Sequence, residues 1–141
     1  MSFENPDDAA RCALIRASKR IAVVGLSPNP SRPSHEVARA LQGFGFTVIP
    51  VRPGVSEVLG EKAYARLTDV PGHIDLVDVF RVASAVDAIV DECLQLGLKA
   101  IWLQDGVVNE AAAARAQAGG MTVVMDRCIY RDYVRICNRS A

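Results

Sequence analysis

Residues 20–41, RIAVVGLSPNPSRPSHEVARAL, carry the first structural signal of the chain. Residues 21–24 are apolar and mostly β-branched, which predicts a strand buried on both faces. Gly25 ends this run, and a loop rich in Ser and Pro follows. Beyond the loop, apolar side chains recur with helical spacing at Val37, Leu41 and Phe44. Strand, glycine-containing loop and helix form the first unit of a nucleotide-binding α/β sheet, in which the helix N-terminus can hold an anion.

The loop after the first strand departs from the glycine-rich fingerprint of dinucleotide-binding proteins. That fingerprint, G-x-G-x-x-G, needs three glycines, and this loop has Gly25 alone. Pro33 fits the first helical position, which leaves Arg32 as a poor N-cap. The free helical N–H groups are therefore expected to meet a ligand phosphate, with help from Arg32, Ser31 and Ser34. The alternative is an ordinary proline-rich loop whose amides are solvated.

Composition limits the class of protein. The chain has 141 residues, half of them apolar, and no formal net charge. This length predicts one domain over residues 1–141. The charge balance disfavours nucleic-acid binding, and no apolar run is long enough for a membrane span. The N-terminal segment has acids where a signal peptide would be basic, so a cytoplasmic location is expected.

The four cysteines lack the spacing of a metal finger or a redox motif. Cys12, Cys93, Cys128 and Cys137 include no C-x-x-C pair. In a reducing compartment they are expected to be buried thiols. Cys128 comes just after a predicted strand, so we also consider it as a reactive thiol.

Four further apolar runs predict strands at 46–51, 74–80, 99–103 and 121–125. Helical patterns alternate with the strands, except at 55–73, which is predicted to be irregular. The alternation predicts an α/β fold, a single Rossmann-like doubly wound sheet of about five parallel strands with helices on both faces. Right-handed crossovers suggest the strand order 3-2-1-4-5.

The loops after the strands should form the walls of one site, because such sheets bind ligands at the carboxyl ends of their strands. Arg52 follows the second strand, where an NAD-binding protein would have Asp or Glu. An arginine there suits a ribose that bears a phosphate, as in NADP or in coenzyme A. The alternative is a solvated arginine in a turn.

Catalytic and metal motifs are missing from the sequence. There is no G-x-S-x-G elbow and no phosphate-binding G-x-x-x-x-G-K-[ST] loop. Neither His35 nor His73 lies at a sequence spacing from a nucleophile or a second metal ligand that is typical of a catalytic or metal site. Asp75, Asp78 and Asp126 could form an acidic metal cluster, but acids at strand ends more often cap turns or are solvated. We therefore predict no catalytic residues and no metal site.

Six segments follow one another along the chain: IAVVGLSPNPSRPSHEVARAL, VIPVRPG, LGEKAY, VDVFR, KAIWLQDGV and AGGMTVVMDRC. Their order and spacing resemble the small coenzyme A-binding protein family of single Rossmann-like domains. The sequence is also similar to the nucleotide-binding domain of the succinate–coenzyme A ligase alpha subunit. The resemblance covers about residues 14–137 and implies coenzyme A as the ligand. It does not imply ligase activity.

The resemblance assigns a part of coenzyme A to each loop. The pyrophosphate would lie on the first loop and helix start, the adenosine over the end of the second strand, and the pantetheine arm past the third strand toward the fourth. The implied site residues are Gly25, Ser27, Ser31, Arg32, Ser34, Val51, Arg52, Pro53, Val79, Phe80, Arg81, Gln104 and Gly106. Family members usually carry Val-Asn-Pro after the second strand, so Arg52 is a candidate phosphate clamp of this chain.

The sequence thus predicts a cytoplasmic coenzyme A- or acyl-CoA-binding module that is not itself a catalyst. One alternative is an NADP-dependent reductase or a subunit of an acyl-CoA enzyme. The other is an interaction protein, homodimeric or bound to a protein partner, that retains a vestigial nucleotide site. Nucleic acid and membrane are not expected partners.

Overall fold

The computed structural model describes residues 3–137, and its centre is a sheet of five parallel strands. β-Branched residues dominate the strands, as is typical of a sheet covered on both faces. In chain order the strands of this sheet are β1 (Arg20–Val24), β2 (Thr47–Val51), β5 (Leu76–Val79), β6 (Ala100–Leu103) and β7 (Thr122–Val124). Two short strands, β3 (Glu57–Val58) and β4 (Glu61–Lys62), form a separate antiparallel hairpin.

Helices cover both faces of the sheet, which confirms the predicted α/β class. They are α1 (Asp8–Ala17), α2 (Pro33–Gly43), α3 (Val86–Leu96), α4 (Glu110–Ala118) and α5 (Ile129–Asp132), with a π-helical turn at Tyr133–Cys137. Short 3₁₀ turns lie at Leu67–Asp69 and Ala83–Ala85. No helix within residues 3–137 is both long and apolar enough to cross a membrane.

The core has two halves, one on each face of the sheet. Alternate residues of β1 divide between them, since Ile21 and Val23 join one cluster while Ala22 and Val24 join the other. The first cluster contains side chains of α1, α2 and α5. The second contains side chains of α3 and α4, together with Leu67 from the first 3₁₀ turn.

The predicted strand order is wrong. The observed order is β2-β1-β5-β6-β7, which is 2-1-3-4-5 when the five strands are counted along the chain. The third strand pairs with β1 on the side away from β2. Right-handed crossover connections are compatible with both strand orders. The order is decided by the face of the sheet on which the chain crosses from the second strand to the third. Residues 52–73 contain no amphipathic helix that would reveal this face, but Leu67, Val70 and Ile74 pack on the α3–α4 side.

Two of the four cysteines are not free thiols. Cys12 of α1 and Cys137 of the C-terminal turn form a disulfide bond across 125 positions of sequence. Cys93 and Cys128 are free and buried, as expected. The prediction of four thiols is wrong for this pair, because it assumed a reducing compartment and used sequence spacing, whereas cysteines so far apart meet only through the fold.

Candidate functional site

The turn at Gly25 brings three strand ends together. Its N–H donates to the carbonyl oxygen of Val51 at 2.8 Å, and Phe80 N–H donates to the Val24 oxygen at 2.9 Å. Gly25 has a φ of +86°, and a Cβ built on it would collide with the carbonyl oxygen of Phe80. The loops after β1 and β5 therefore approach each other as closely as only a glycine allows.

Helix α2 begins at the end of the loop that follows this turn, and no side chain of the described residues caps its first N–H groups. Arg32 is its N-cap and makes no capping bond, and Pro33 occupies the first turn, as predicted. The Ser34 hydroxyl oxygen accepts from Ser27 N–H at 3.0 Å, and the Ser27 hydroxyl oxygen accepts from Asn29 N–H at 3.1 Å. These bonds fix the loop and leave the two hydroxyl hydrogens available to a ligand.

A cleft of about 1310 Å³ opens at the carboxyl ends of β1, β2, β5 and β6. This exceeds the ~300–1,000 Å³ of common small-molecule sites. The structure brings eleven of the thirteen predicted residues to its walls: Gly25, Ser27, Arg32, Ser34, Val51, Arg52, Pro53, Phe80, Arg81, Gln104 and Gly106. Their contact with a ligand stays a prediction.

Ser31 and Val79 are the two predicted residues that do not line the cleft. Ser31 is exposed, and both its N–H and its hydroxyl bond to the Asn29 side-chain oxygen, at 3.0 and 2.9 Å. Val79 is fully buried in the core cluster on the α3 side. Its carbonyl oxygen accepts a hydrogen bond from Gln104 N–H at 3.3 Å, so Val79 helps to position the loop after β6.

Four arginines line the cleft: Arg32, Arg52, Arg66 and Arg81. Within residues 3–137 none of them forms an ion pair, and the Arg52 guanidinium alone has a hydrogen bond, 3.3 Å from Nη1 to the Gly25 oxygen. The cleft has two carboxylates, and Arg131 binds one of them, Asp105, at 2.9 Å. The surplus of positive charge fits a ligand with several phosphates.

Sequence reasoning missed Arg66, which reaches the cleft through a backbone contact. Tyr64 forms a parallel bridge with Val51, and its carbonyl oxygen accepts from Arg52 N–H at 2.7 Å. This contact places residues 63–67 beside the end of β2. A signal was present in this stretch, because Ala63, Ala65 and Leu67 alternate with polar or larger residues, as in an extended segment.

The far wall of the cleft lies between β6 and α5. The buried Gln104 side chain accepts from Ile129 N–H at 3.2 Å, and Gly106 N–H donates to the Asp126 carboxylate at 2.7 Å. Cys128 lines this wall and is 8% exposed. The Gln104 side-chain oxygen and the Asp126 carboxylate thus hold the loops of this wall in place.

The three aspartates considered for a metal do not converge. Asp75 accepts from Lys19 and Arg20 N–H at 2.9 Å each, at the amino end of the sheet. Asp78 is buried in β5, and its burial raises the pKa of the carboxyl well above the usual value. Asp126 binds Gly106. Residues 3–137 contain no group of three or more His, Cys, Asp or Glu side chains that could hold a metal ion.

Comparison with known proteins supports this architecture. The CoA binding domain family matches residues 19–133. The uncharacterized protein YneT of Bacillus subtilis is 43% identical over 127 residues, which are 90% of this chain and 94% of that protein. A solved structure of a hypothetical protein from Pyrococcus horikoshii has a TM-score of 0.90 at 32% identity, with coverage of 96% of this chain and 99% of that one.

A ligase subunit is also similar. The alpha subunit of ADP-forming acetate–CoA ligase II from Pyrococcus furiosus is 34% identical over 82 residues, which are 57% of this chain. The match spans 18% of the ligase subunit, so the similarity concerns one part of that protein. These matches confirm the resemblance drawn from the six sequence segments. The chain belongs to the CoA-binding domain family.

Proposed function

We propose that the chain binds coenzyme A or an acyl-CoA in the cleft and does not itself catalyse a reaction. The observation that carries this proposal is a cleft lined both by arginines without ion pairs in the described part of the chain and by the uncapped start of α2. Coenzyme A has a pyrophosphate and a 3′-phosphate, and both need cations or free N–H groups. The family match and the similarity to an acetate–CoA ligase subunit support the same ligand.

The parts of the ligand are assigned by the chemistry of each wall. The pyrophosphate is proposed to lie at the start of α2, where Arg32 and the hydroxyls of Ser27 and Ser34 are available. The 3′-phosphate is proposed to meet Arg52 at the end of β2. The pantetheine arm would then pass Phe80 toward the Gln104 wall, where the acyl group of an acyl-CoA would also lie.

The binding role without catalysis is supported by how the polar groups of the cleft are used. Asp105 is paired with Arg131, and Gln104 holds the start of α5. Neither histidine lines the cleft, and His73 contacts Asp75 at the opposite edge of the sheet, 3.3 Å away. We also propose that residues 1–141 act as one binding unit in the cytoplasm.

Calorimetric titration with coenzyme A, dephospho-coenzyme A, NADP and NAD tests the proposal. Protein cleared of ligand carried through purification should bind coenzyme A saturably and more tightly than the other three. Preference for NADP would favour the reductase alternative. No binding of any of the four would contradict the proposal and favour an interaction protein.

Two arginine variants then test the ligand assignment. Arg52→Ala should weaken coenzyme A binding by about 1–3 kcal/mol and dephospho-coenzyme A binding much less, because the latter lacks the 3′-phosphate. Arg32→Ala should weaken both ligands equally. The matched control is Arg39→Ala, which removes an exposed arginine of α2 outside the cleft and should change neither affinity. Equal losses for both ligands in Arg52→Ala would refute the 3′-phosphate clamp.

A further inference from the structure

Part of the cleft wall is apolar. Leu67 comes from the first 3₁₀ turn, Ala85 ends the second one, and Ala88 and Ile89 belong to α3. Ala88 and Glu92 lie four positions apart and so share one side of α3. The two alanines are small, and Leu67 and Ile89 are bulky and apolar. A wall of this composition suits a flat ring rather than a phosphate.

Glu92 lines the cleft beside this apolar part of the wall and has an unused acceptor. One of its carboxylate oxygens, Oε1, is buried and has no hydrogen-bond partner. No ion pair within residues 3–137 includes Glu92. By contrast, Asp105, the other carboxylate of the cleft, is paired with Arg131. A buried acceptor without a donor is costly, so this oxygen is suited to a ligand that brings an N–H group.

Glu92 lines the same cleft as the four arginines. One of them, Arg66, directly precedes Leu67 in the sequence and so adjoins the apolar part of the wall. A nucleotide with its phosphates at the arginines could therefore place its base against this apolar part, beside Glu92.

We infer that Glu92 is a specificity residue that accepts a hydrogen bond from the exocyclic amino group of adenine, with the ring held between Leu67 and the two alanines. This inference rests on the proposed function and names the site of the base. The amino group is the one N–H donor of the adenine ring in coenzyme A. A hydrogen-bonding site of this kind rejects an analogue that lacks the donor, because the acceptor is then buried unpaired.

Two substitutions separate the acceptor from the charge. Glu92→Gln keeps a side-chain carbonyl oxygen at the same length, and Glu92→Met keeps the length without a good acceptor. Binding of coenzyme A and of 3′,5′-ADP should fall about tenfold in Glu92→Met and stay within about threefold of wild type in Glu92→Gln. Binding of 4′-phosphopantetheine, which has no adenine, should not change in either variant. Glu57→Gln, at an exposed residue of β3, is the charge control and should match wild type.

The unmodified protein provides a second test. Purine riboside 3′,5′-bisphosphate lacks the 6-amino group and should bind about tenfold more weakly than 3′,5′-ADP. Equal binding of these two ligands would overturn the inference, even if Glu92→Met failed to fold. An equal loss of 4′-phosphopantetheine and coenzyme A in a folded Glu92→Met would also overturn it. Failure of wild type to bind coenzyme A would instead contradict the proposed function.

Discussion

Gly25 joins two loops of the site at a single backbone position. Its positive φ of +86° is one that side chains rarely adopt, and the Phe80 carbonyl oxygen occupies the space of a Cβ. Gly54 has a similar φ of +78°, but nothing lies within 4 Å of a Cβ there. Both glycines thus have a left-handed backbone conformation, but only Gly25 is also in close contact with another part of the chain.

Comparison of Gly25→Ala with Gly54→Ala isolates that contact. Gly54→Ala should lower the free energy of unfolding by ~1–2 kcal/mol, the cost of the left-handed conformation. Gly25→Ala should lower it by a further ~1–3 kcal/mol, because the loops after β1 and β5 must separate. Urea unfolding of both variants measures the difference. Equal losses would mean that the contact with Phe80 is unimportant for stability.

Residues of the site were predictable where their position follows from a strand end. The first loop, Arg52 and the residues after the third strand were found in this way. Val79 stands at a strand end as predicted but is buried in the core instead of lining the cleft, and its contact with a ligand stays a prediction. Arg66 and Glu92 were missed because each reaches the cleft through packing of an irregular segment or the middle of a helix, far from any strand end.

At the scale of the element, strand β5 and the segment before it contain two aspartates in opposite surroundings. Asp78 is fully buried with neither carboxylate oxygen bonded, and burial raises the pKa of its carboxyl. Burial also acts to raise the pKa of Asp75, but hydrogen bonds from the backbone of Arg20 and Lys19 outweigh it and lower that pKa. The folded state therefore favours the neutral form of Asp78 and the charged form of Asp75.

Isosteric variants of these aspartates should respond to pH with opposite signs. Asp78→Asn should become more stabilising relative to wild type as pH rises above about 4, by up to ~1.4 kcal/mol per pH unit until the raised pKa is reached. Asp75→Asn should be destabilising at neutral pH, and its effect should shrink as pH falls through the lowered pKa. Urea unfolding between pH 3 and pH 8 measures both. Parallel pH profiles of the two variants would contradict this assignment.

The elements themselves were easier to predict than their arrangement. Periodicity located α3 and the five strands of the main sheet, because a buried strand and an amphipathic helix differ in pattern. The order of the strands depends on which face of the sheet each connection crosses. Residues 52–73, which connect β2 to β5, form a hairpin and a 3₁₀ turn in place of a helix. Leu67 is buried against the sheet, as the apolar side chains of a crossover helix would be. A single leucine in an irregular segment, however, does not reveal from the sequence which face of the sheet the connection crosses.

At the scale of the whole molecule, both ends of the described chain meet on the face that carries α1 and α5. Buried Arg11 of α1 pairs with buried Asp132 of α5 at 3.0 Å, and Arg127 also pairs with Asp132, at 2.8 Å. The Cys12–Cys137 disulfide joins the same two regions. A covalent contact and an ion pair, Arg11–Asp132, therefore join the two ends of the described chain, and the covalent contact spans nearly the entire sequence.

The disulfide should contribute strongly to stability because it restricts the unfolded chain. A loop of this length is worth ~4–5 kcal/mol in the chain-entropy description. Urea unfolding with and without a thiol reductant should show a loss approaching this size in wild type. Cys12→Ala should resemble the reduced protein and respond no further to reductant, while Cys128→Ala should keep the full response, since Cys128 is a free thiol. Coincident unfolding curves of wild type in both conditions would show that the Arg11–Asp132 ion pair and the core alone close the fold.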